Sequence, residues 1–446
     1  MNKRLLIIFL AATLCGSAPL SAQFTQEVFM LESTNLGYKF NPALASYRDF
    51  VGSVSFSGNL VNSLGARAFL YPTGDGKLVT ALHPSITAER FLSQLRDNNH
   101  FNGSANFGLF SYGFKKGKSF HTIEVNLRAK AMTSVPKSVF EMAKLGSSHS
   151  PFDFAPIRAN MYLFGELAYG YTRKLGDFVT VGARAKLLKG FLGADLNLSQ
   201  FDVVMDGDAY TTTYSGTLDM TTNAIRFLPV EKKDPGKQNT RGSFNSIGVA
   251  ADLGVVIKPF EGLMVSLSVL DLGGIMWRYK NAGTTSGSQS FSGLNLEYED
   301  LNGEDILANL NDKLNEFYAT MDFQRVKNRK VFDSLPLTFN AGVRYTLPFY
   351  NNMSVGLTGT IISTWPMSYR DIRFGVTERC TDWLEITANA GRDNFGMVYG
   401  FAAVARASRF RFSAGSQGNF ARQVPETIIP VKPAGRSLNL GVTYDI

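Results

Sequence analysis

The chain has 446 residues, a formal charge of +8 and a mean hydropathy of −0.04. With 44% hydrophobic and 18% charged residues it is too apolar for a disordered chain, and two cysteines, Cys15 and Cys380, exclude a disulfide-built domain. Its basic residues are scattered, with pairs such as Lys115-Lys116 rather than a cluster on one element, which argues against a nucleic-acid surface.

Residues 1–22 read as a signal peptide. Asn2-Lys3-Arg4 is a basic start, Leu5 to Leu14 is apolar, and Ser17 to Ala22 is rich in small residues. Cleavage is expected after Ala22, although Leu20 is large for the −3 position. Cys15 raises a lipoprotein alternative, which the bulk of Leu14 disfavours. Loss of Lys3 and Arg4 takes the charge from +8 to +6. No later run of ~18 apolar residues offers a membrane helix. Residues 23–49 lack sustained alternation and hold Asn41-Pro42-Ala43, a turn signal. They are read as an N-terminal plug segment, tucked into or below the remainder of the chain.

From Phe50 to Ile446 one pattern recurs. Ile123, Val125, Leu127 and Ala129 alternate with Glu124, Asn126, Arg128 and Lys130. Val179 to Leu187, Leu337 to Tyr345 and Leu438 to Ile446 repeat the alternation. Period two places apolar residues on one strand face and polar ones on the other, and would scatter them around a helix. Many long strands, greasy on one side and polar on the other, predict an all-β protein: a transmembrane antiparallel β-barrel of about 14 strands. The first strand is expected from Phe50, bent at Gly58 or Gly65, to Tyr71.

The connections alternate in length. Short turns fall near Gly117, at 174–177, 259–262, 348–352 and 380–383, and at Ala407-Ser408. Long connections are expected at 72–103, 132–158, 192–243, 276–334 and 418–435. Short turns on one rim and long loops on the other predict an outer-membrane barrel with helix-containing extracellular loops and both termini in the periplasm. Helical spacing is clearest over Asp305 to Met321 and weaker over Pro136 to Leu145 and Ile86 to Leu95. The stretch Phe201 to Met220 predicts a hairpin rising above the wall. Apolar helices over the open end would form a lid or simply pack the loop crown.

Alternation assigns twelve charged side chains to the lumen: Glu124, Arg128, Lys130, Glu166, Arg184, Lys186, Asp252, Arg344, Arg373, Glu385, Arg409 and Arg411. Eight are basic and four acidic, which predicts a positive lumen. Unpaired buried charge is costly, so these groups either pair across strands or face water. One reading is an ion-pair network that fills the barrel; the other is an anion-attracting path. The four histidines are His83, His100, His121 and His149. Ser147, Ser148, Ser150 and Asp153 crowd His149, but such crowding is ordinary loop composition and no triad is assigned. No metal-ligand spacing, phosphate loop or dinucleotide fingerprint appears. No enzyme activity, metal or cofactor is expected.

The signal peptide, Asn41-Pro42-Ala43, about 14 strands, and Val269-Leu270-Asp271-Leu272-Gly273 before a long connection resemble the long-chain fatty-acid transporter family of outer-membrane barrels. The resemblance is strongest to Bacteroidota relatives, which include shuttle barrels of the type IX secretion system. It implies a plug inside the lumen, a hydrophobic pocket and, in transporters, a lateral opening. The end at Ile446 departs from the usual aromatic terminus, although Tyr444 shares its face. The function expected is binding or passage of hydrophobic or amphipathic small molecules across the outer membrane. The alternative is a docking barrel for exported or surface proteins. Expected partners are therefore outer-membrane lipid, a hydrophobic or amphipathic ligand or an exported protein, and no nucleic acid.

Overall fold

The computed structural model describes residues 25–44, 49–64, 70–72, 78–146, 150–206, 211–222, 246–279, 281–291, 324–325, 329–363, 368–419 and 434–446. The expected signal peptide, the helix over 305–321 and the Ser147-Ser148-His149 cluster lie outside these residues.

Fourteen antiparallel strands close into a barrel. They are β1 (Phe50–Asn62), β2 (Asn98–Lys116), β3 (Ser119–Pro136), β4 (Ile157–Leu175), β5 (Val179–Asp206), β6 (Ser246–Ile257) and β7 (Leu263–Arg278). β8 (Leu337–Thr346), β9 (Met353–Ser363), β10 (Tyr369–Thr381), β11 (Leu384–Asp393), β12 (Gly396–Ala407), β13 (Phe410–Gly418) and β14 (Ala434–Asp445) complete the wall. Each pairs with the next, and β14 returns to β1 with Phe50 opposite Asp445, so the wall has no open edge. Among the described residues no helix is long and apolar enough to cross a membrane.

Alternation sets the two faces. On β8, Phe339 and Val343 are exposed outside while Thr338 and Asn340 are buried inside. The short-turn rim carries an outward aromatic belt. His121 stacks on Phe114 at 5.0 Å and bonds the Tyr169 hydroxyl at 2.7 Å, while Phe178, Phe260, Phe349 and Trp383 stand exposed near the turns. Such girdles suit the boundary of an apolar band.

Several boundaries differ from expectation. β1 ends at Asn62, and Leu70–Pro72 instead pairs with Leu78–Thr80 in a separate hairpin. β2 begins at Asn98, and β3 and β5 run on to Pro136 and Asp206, all inside stretches expected to be loops. Where strands rise above an apolar band both faces are wet, so hydrophobic alternation fades while the ladder continues. The raised part of β5 pairs with Thr211–Thr222, which pairs with Asn281–Phe291, as the expected hairpin requires. Two helices pack at the same end: α2 (Ala88–Leu92) and α3 (Lys137–Leu145) bring Phe91 edge-on to Phe140 at 6.4 Å.

The segment Val269-Leu270-Asp271-Leu272-Gly273 is a bend in the wall. Asp271 and Gly273 have φ of 63° and 147°, and the facing ladder slips between Ala251 and Leu253. Below the bend β7 pairs with β8; above it, with Lys330–Ser334.

Candidate functional site

The N-terminal segment runs inside the barrel. α1 (Thr25–Met30) and the turn after it bury Val28, Phe29, Met30, Leu31, Leu36, Tyr38 and Phe40 almost completely. The wall holds this segment through polar groups on its inner face. Glu385 accepts the backbone N–H groups of Glu32 and Ser33 at 3.0 and 2.7 Å. Arg344 donates to the Phe29 carbonyl at 2.8 Å and pairs with Glu32 at 3.0 Å. Arg373 pairs with Glu27 at 3.1 Å and with Asp371. Arg411 pairs with Asp445 at 2.8 Å and donates to the Ser33 carbonyl.

Asn41-Pro42-Ala43 is the deepest anchor. The Asn41 amide is fully buried and lies within hydrogen-bond reach of the Val255 carbonyl (2.9 Å), the Ser266 hydroxyl (2.7 Å) and the Leu267 carbonyl (3.0 Å). Its oxygen accepts from the Ala43 N–H at 2.8 Å, the side-chain turn that asparagine favours. Thr172 donates to the Pro42 carbonyl at 2.6 Å, while Ser268 and Asn340 donate to the Phe40 carbonyl at 2.6 and 3.0 Å. The tripeptide can lie this close because Gly254 and Gly182 lack side chains. A Cβ on the first would collide with Asn41, and one on the second with the Pro42 backbone.

A charge network sits beside the anchor. Asp252 pairs with Arg184 at 3.1 Å and Lys186 at 2.6 Å; Asp271 pairs with Arg128 at 2.8 Å and Lys186 at 2.6 Å. Arg128 also reaches Glu166 at 2.8 Å, and Glu124 holds Arg184, Lys39 at 3.7 Å and the Tyr38 hydroxyl at 2.7 Å. Lys130 lies over the Tyr162 ring. A lumen cavity here of about 210 Å³ is lined by these charged groups together with apolar side chains such as Met132, Phe164, Leu270 and Ile362, room for a handful of waters at ~30 Å³ each. Next to it a cluster of Tyr162, Phe164, Leu188, Ile275 and Trp277 packs the interior between β4 and β7.

Eleven of the twelve charges assigned to the lumen therefore lie along the inner face. Arg409 does not: it is exposed in the turn between β12 and β13, where strand phase no longer applies. Among the described residues the expected positive excess is also absent. Asp271, Asp371 and Asp445 of the wall and Glu27 and Glu32 of the segment supply the missing carboxylates. Asp271 escapes phase counting because the bend reverses its direction, and Glu27 because its segment carries no strand pattern. Of the histidines, His83 is exposed and bonds Ser85 at 2.8 Å, and His100 lies in the first few residues of β2. Ser150 accepts the Met205 N–H at 2.8 Å.

The outer wall holds the larger concavity, about 960 Å³, across β6 to β11. One cross-strand row reads Val255, Leu267, Ala341, Gly359, Ile372 and Arg392, with its smallest members in the middle. The inner side of the same wall carries Phe40 and Asn41.

A family model matches residues 42–417: a family of unknown function, DUF5723. The chain belongs to that family. No curated protein matches it. Solved structures similar to it include a Pseudomonas aeruginosa FadL homologue, at 11% identity over 96% of this chain and 99% of that one, with a TM-score of 0.47. The Ralstonia pickettii toluene transporter TbuX matches at 7% identity over 93% of each chain, TM-score 0.46. A mutant of the TodX monoaromatic hydrocarbon channel matches at 9% identity over 92% of this chain and 94% of that one, TM-score 0.46. With so little sequence in common, the likeness is one of barrel architecture and carries nothing about what this chain binds.

Proposed function

We propose that the protein is an outer-membrane barrel that binds hydrophobic or amphipathic small molecules at its wall and passes them inward when the N-terminal segment yields. The observation that carries this reading is the wall concavity, apolar and outward-facing, backed from within by Phe40 and Asn41. The lumen cavity beside the network is small and carries several charged side chains, whereas the outer concavity is larger and almost wholly apolar, so the outer face is where such a molecule fits. The segment closes the lumen and is the element that must move.

Deleting residues 23–36 behind an intact signal removes α1 and leaves Asn41 in place. The expected product is a folded, heat-modifiable barrel with raised conductance or faster uptake of a hydrophobic dye. A folded deletion barrel with both properties unchanged would refute the passage reading.

The orientation has the short turns and both termini in the periplasm. Cys380 is exposed beside the turn between β10 and β11 and serves as a natural reporter. On intact cells it is expected to resist a membrane-impermeant thiol reagent and to react once the outer membrane is opened. Labelling on intact cells would reverse the assignment.

A further inference from the structure

The concavity has a charged end. The row that begins at Val255 ends at Arg392, and the next row, Leu253, Val269, Phe339 and Ile361, ends at Arg370. Both arginines are exposed on the outer face, near the connections at 364–367 and 393–396 and away from the short turns. Arg370 and Arg392 lie diagonally across the β10–β11 pair, a separation of ~7–8 Å between strand positions that lets both guanidinium groups reach one anion. Neither makes a side-chain ion pair or hydrogen bond with a described residue. The outward row on the other side, Val265, Val343, Leu357, Phe374 and Ala390, is wholly apolar. Two arginines on a bilayer-facing surface are unfavourable unless they lie at the interface or meet an anion. Ala341 and Gly359 lower the floor of the groove between Phe339, Ile361, Leu267 and Ile372, giving it an apolar trough that leads to a cationic end.

We propose that this trough is a binding site for an acyl lipid whose phosphate headgroup carries a net negative charge, its chain over Ala341 and Gly359 and its phosphate on Arg370 and Arg392. Arginine suits the anion because its planar fork meets phosphate oxygens in pairs. The site deepens the proposed function, resting on its placement of the wall in a bilayer, and names the class of molecule that the wall recognises.

The test uses the full-length barrel in detergent, offered phosphatidylglycerol or phosphatidylcholine with identical acyl chains, with retained lipid read by native mass spectrometry. The expected result is a preference of about tenfold for phosphatidylglycerol, the scale of one charge-assisted contact. Arg370→Gln with Arg392→Gln removes the preference but leaves chain-driven retention. Gly359→Leu fills the trough and lowers retention of both lipids. Its side chain enters open space, since a Cβ there meets only the Asp371 carbonyl at 3.9 Å, so the wall remains intact. Equal retention of the two lipids, or a preference that survives the double glutamine variant, overturns the proposal. So does competition by chainless glycerol phosphate as strong as that of phosphatidylglycerol, which would indicate a plain anion site. A barrel that keeps the lipid preference while its 23–36 deletion leaves uptake unchanged retains this site and loses only the passage reading.

Discussion

Asp252→Asn is expected to destabilise the barrel by about 3–5 kcal/mol in lipid vesicles, read as a lowered midpoint of urea unfolding. Asp252 is fully buried, touches Arg184 and Lys186, and accepts the Asp271 N–H at 2.7 Å. Asparagine keeps the shape and removes the charge, so the loss is electrostatic. Lys186 keeps Asp271 and Arg184 keeps Glu124, but each then shares fewer carboxylates in a site with little water. Removing Lys186 as well, as Lys186→Met, is expected to recover part of the loss, because the uncompensated cation goes with it. If Asp252→Asn moves the midpoint no more than a typical surface substitution, within about 0.5 kcal/mol, the network contributes nothing to the folded wall.

Asn41→Asp is expected to release the N-terminal segment while the wall stays folded. The exchange is isosteric but places a carboxylate against the Val255 and Leu267 carbonyls, with no donor left for them. An unpaired buried charge costs several kcal/mol, more than one turn of chain can offset. The wall strands have their own complete ladder and do not depend on Asn41 for closure. The expected readings are a higher single-channel conductance, protease cleavage within residues 25–44, and unchanged heat-modifiable mobility. A variant that keeps wild-type conductance and a protected segment would show that Asn41 is not the anchor. Together with the 23–36 deletion it separates the two ends of the segment: the deletion removes α1 and spares the anchor, and the substitution does the reverse.

The barrel itself was legible in the sequence because a closed wall between two different environments imposes period two on every strand. Phe339 and Asn340, or Val125 and Asn126, could face only opposite ways, and the short turns between β2 and β3 or between β8 and β9 announced themselves as breaks in that pattern. The upper strand ends were not legible, since a ladder with water on both sides needs no alternation. β2 and β5 therefore extend well into stretches without the signal.

The site divides along the same line. The inward phase of Arg128, Arg184 and Lys186 follows from the strand that carries each. Their partners do not, because these ion pairs join different strands at separations that follow no sequence period, 38 positions for Arg128 and Glu166 and 143 for Arg128 and Asp271. Asp271 enters the lumen only through a backbone reversal, and Glu27 only because α1 lies inside the barrel. Arg409 falls out of the lumen because its strand has already turned. The burial of Asn41 against Gly254 and the apolar trough over Gly359 are likewise tertiary facts. A glycine on a strand reads the same whether its missing side chain admits another segment from within or opens a groove outside, and only the closed fold decides which face meets which neighbour.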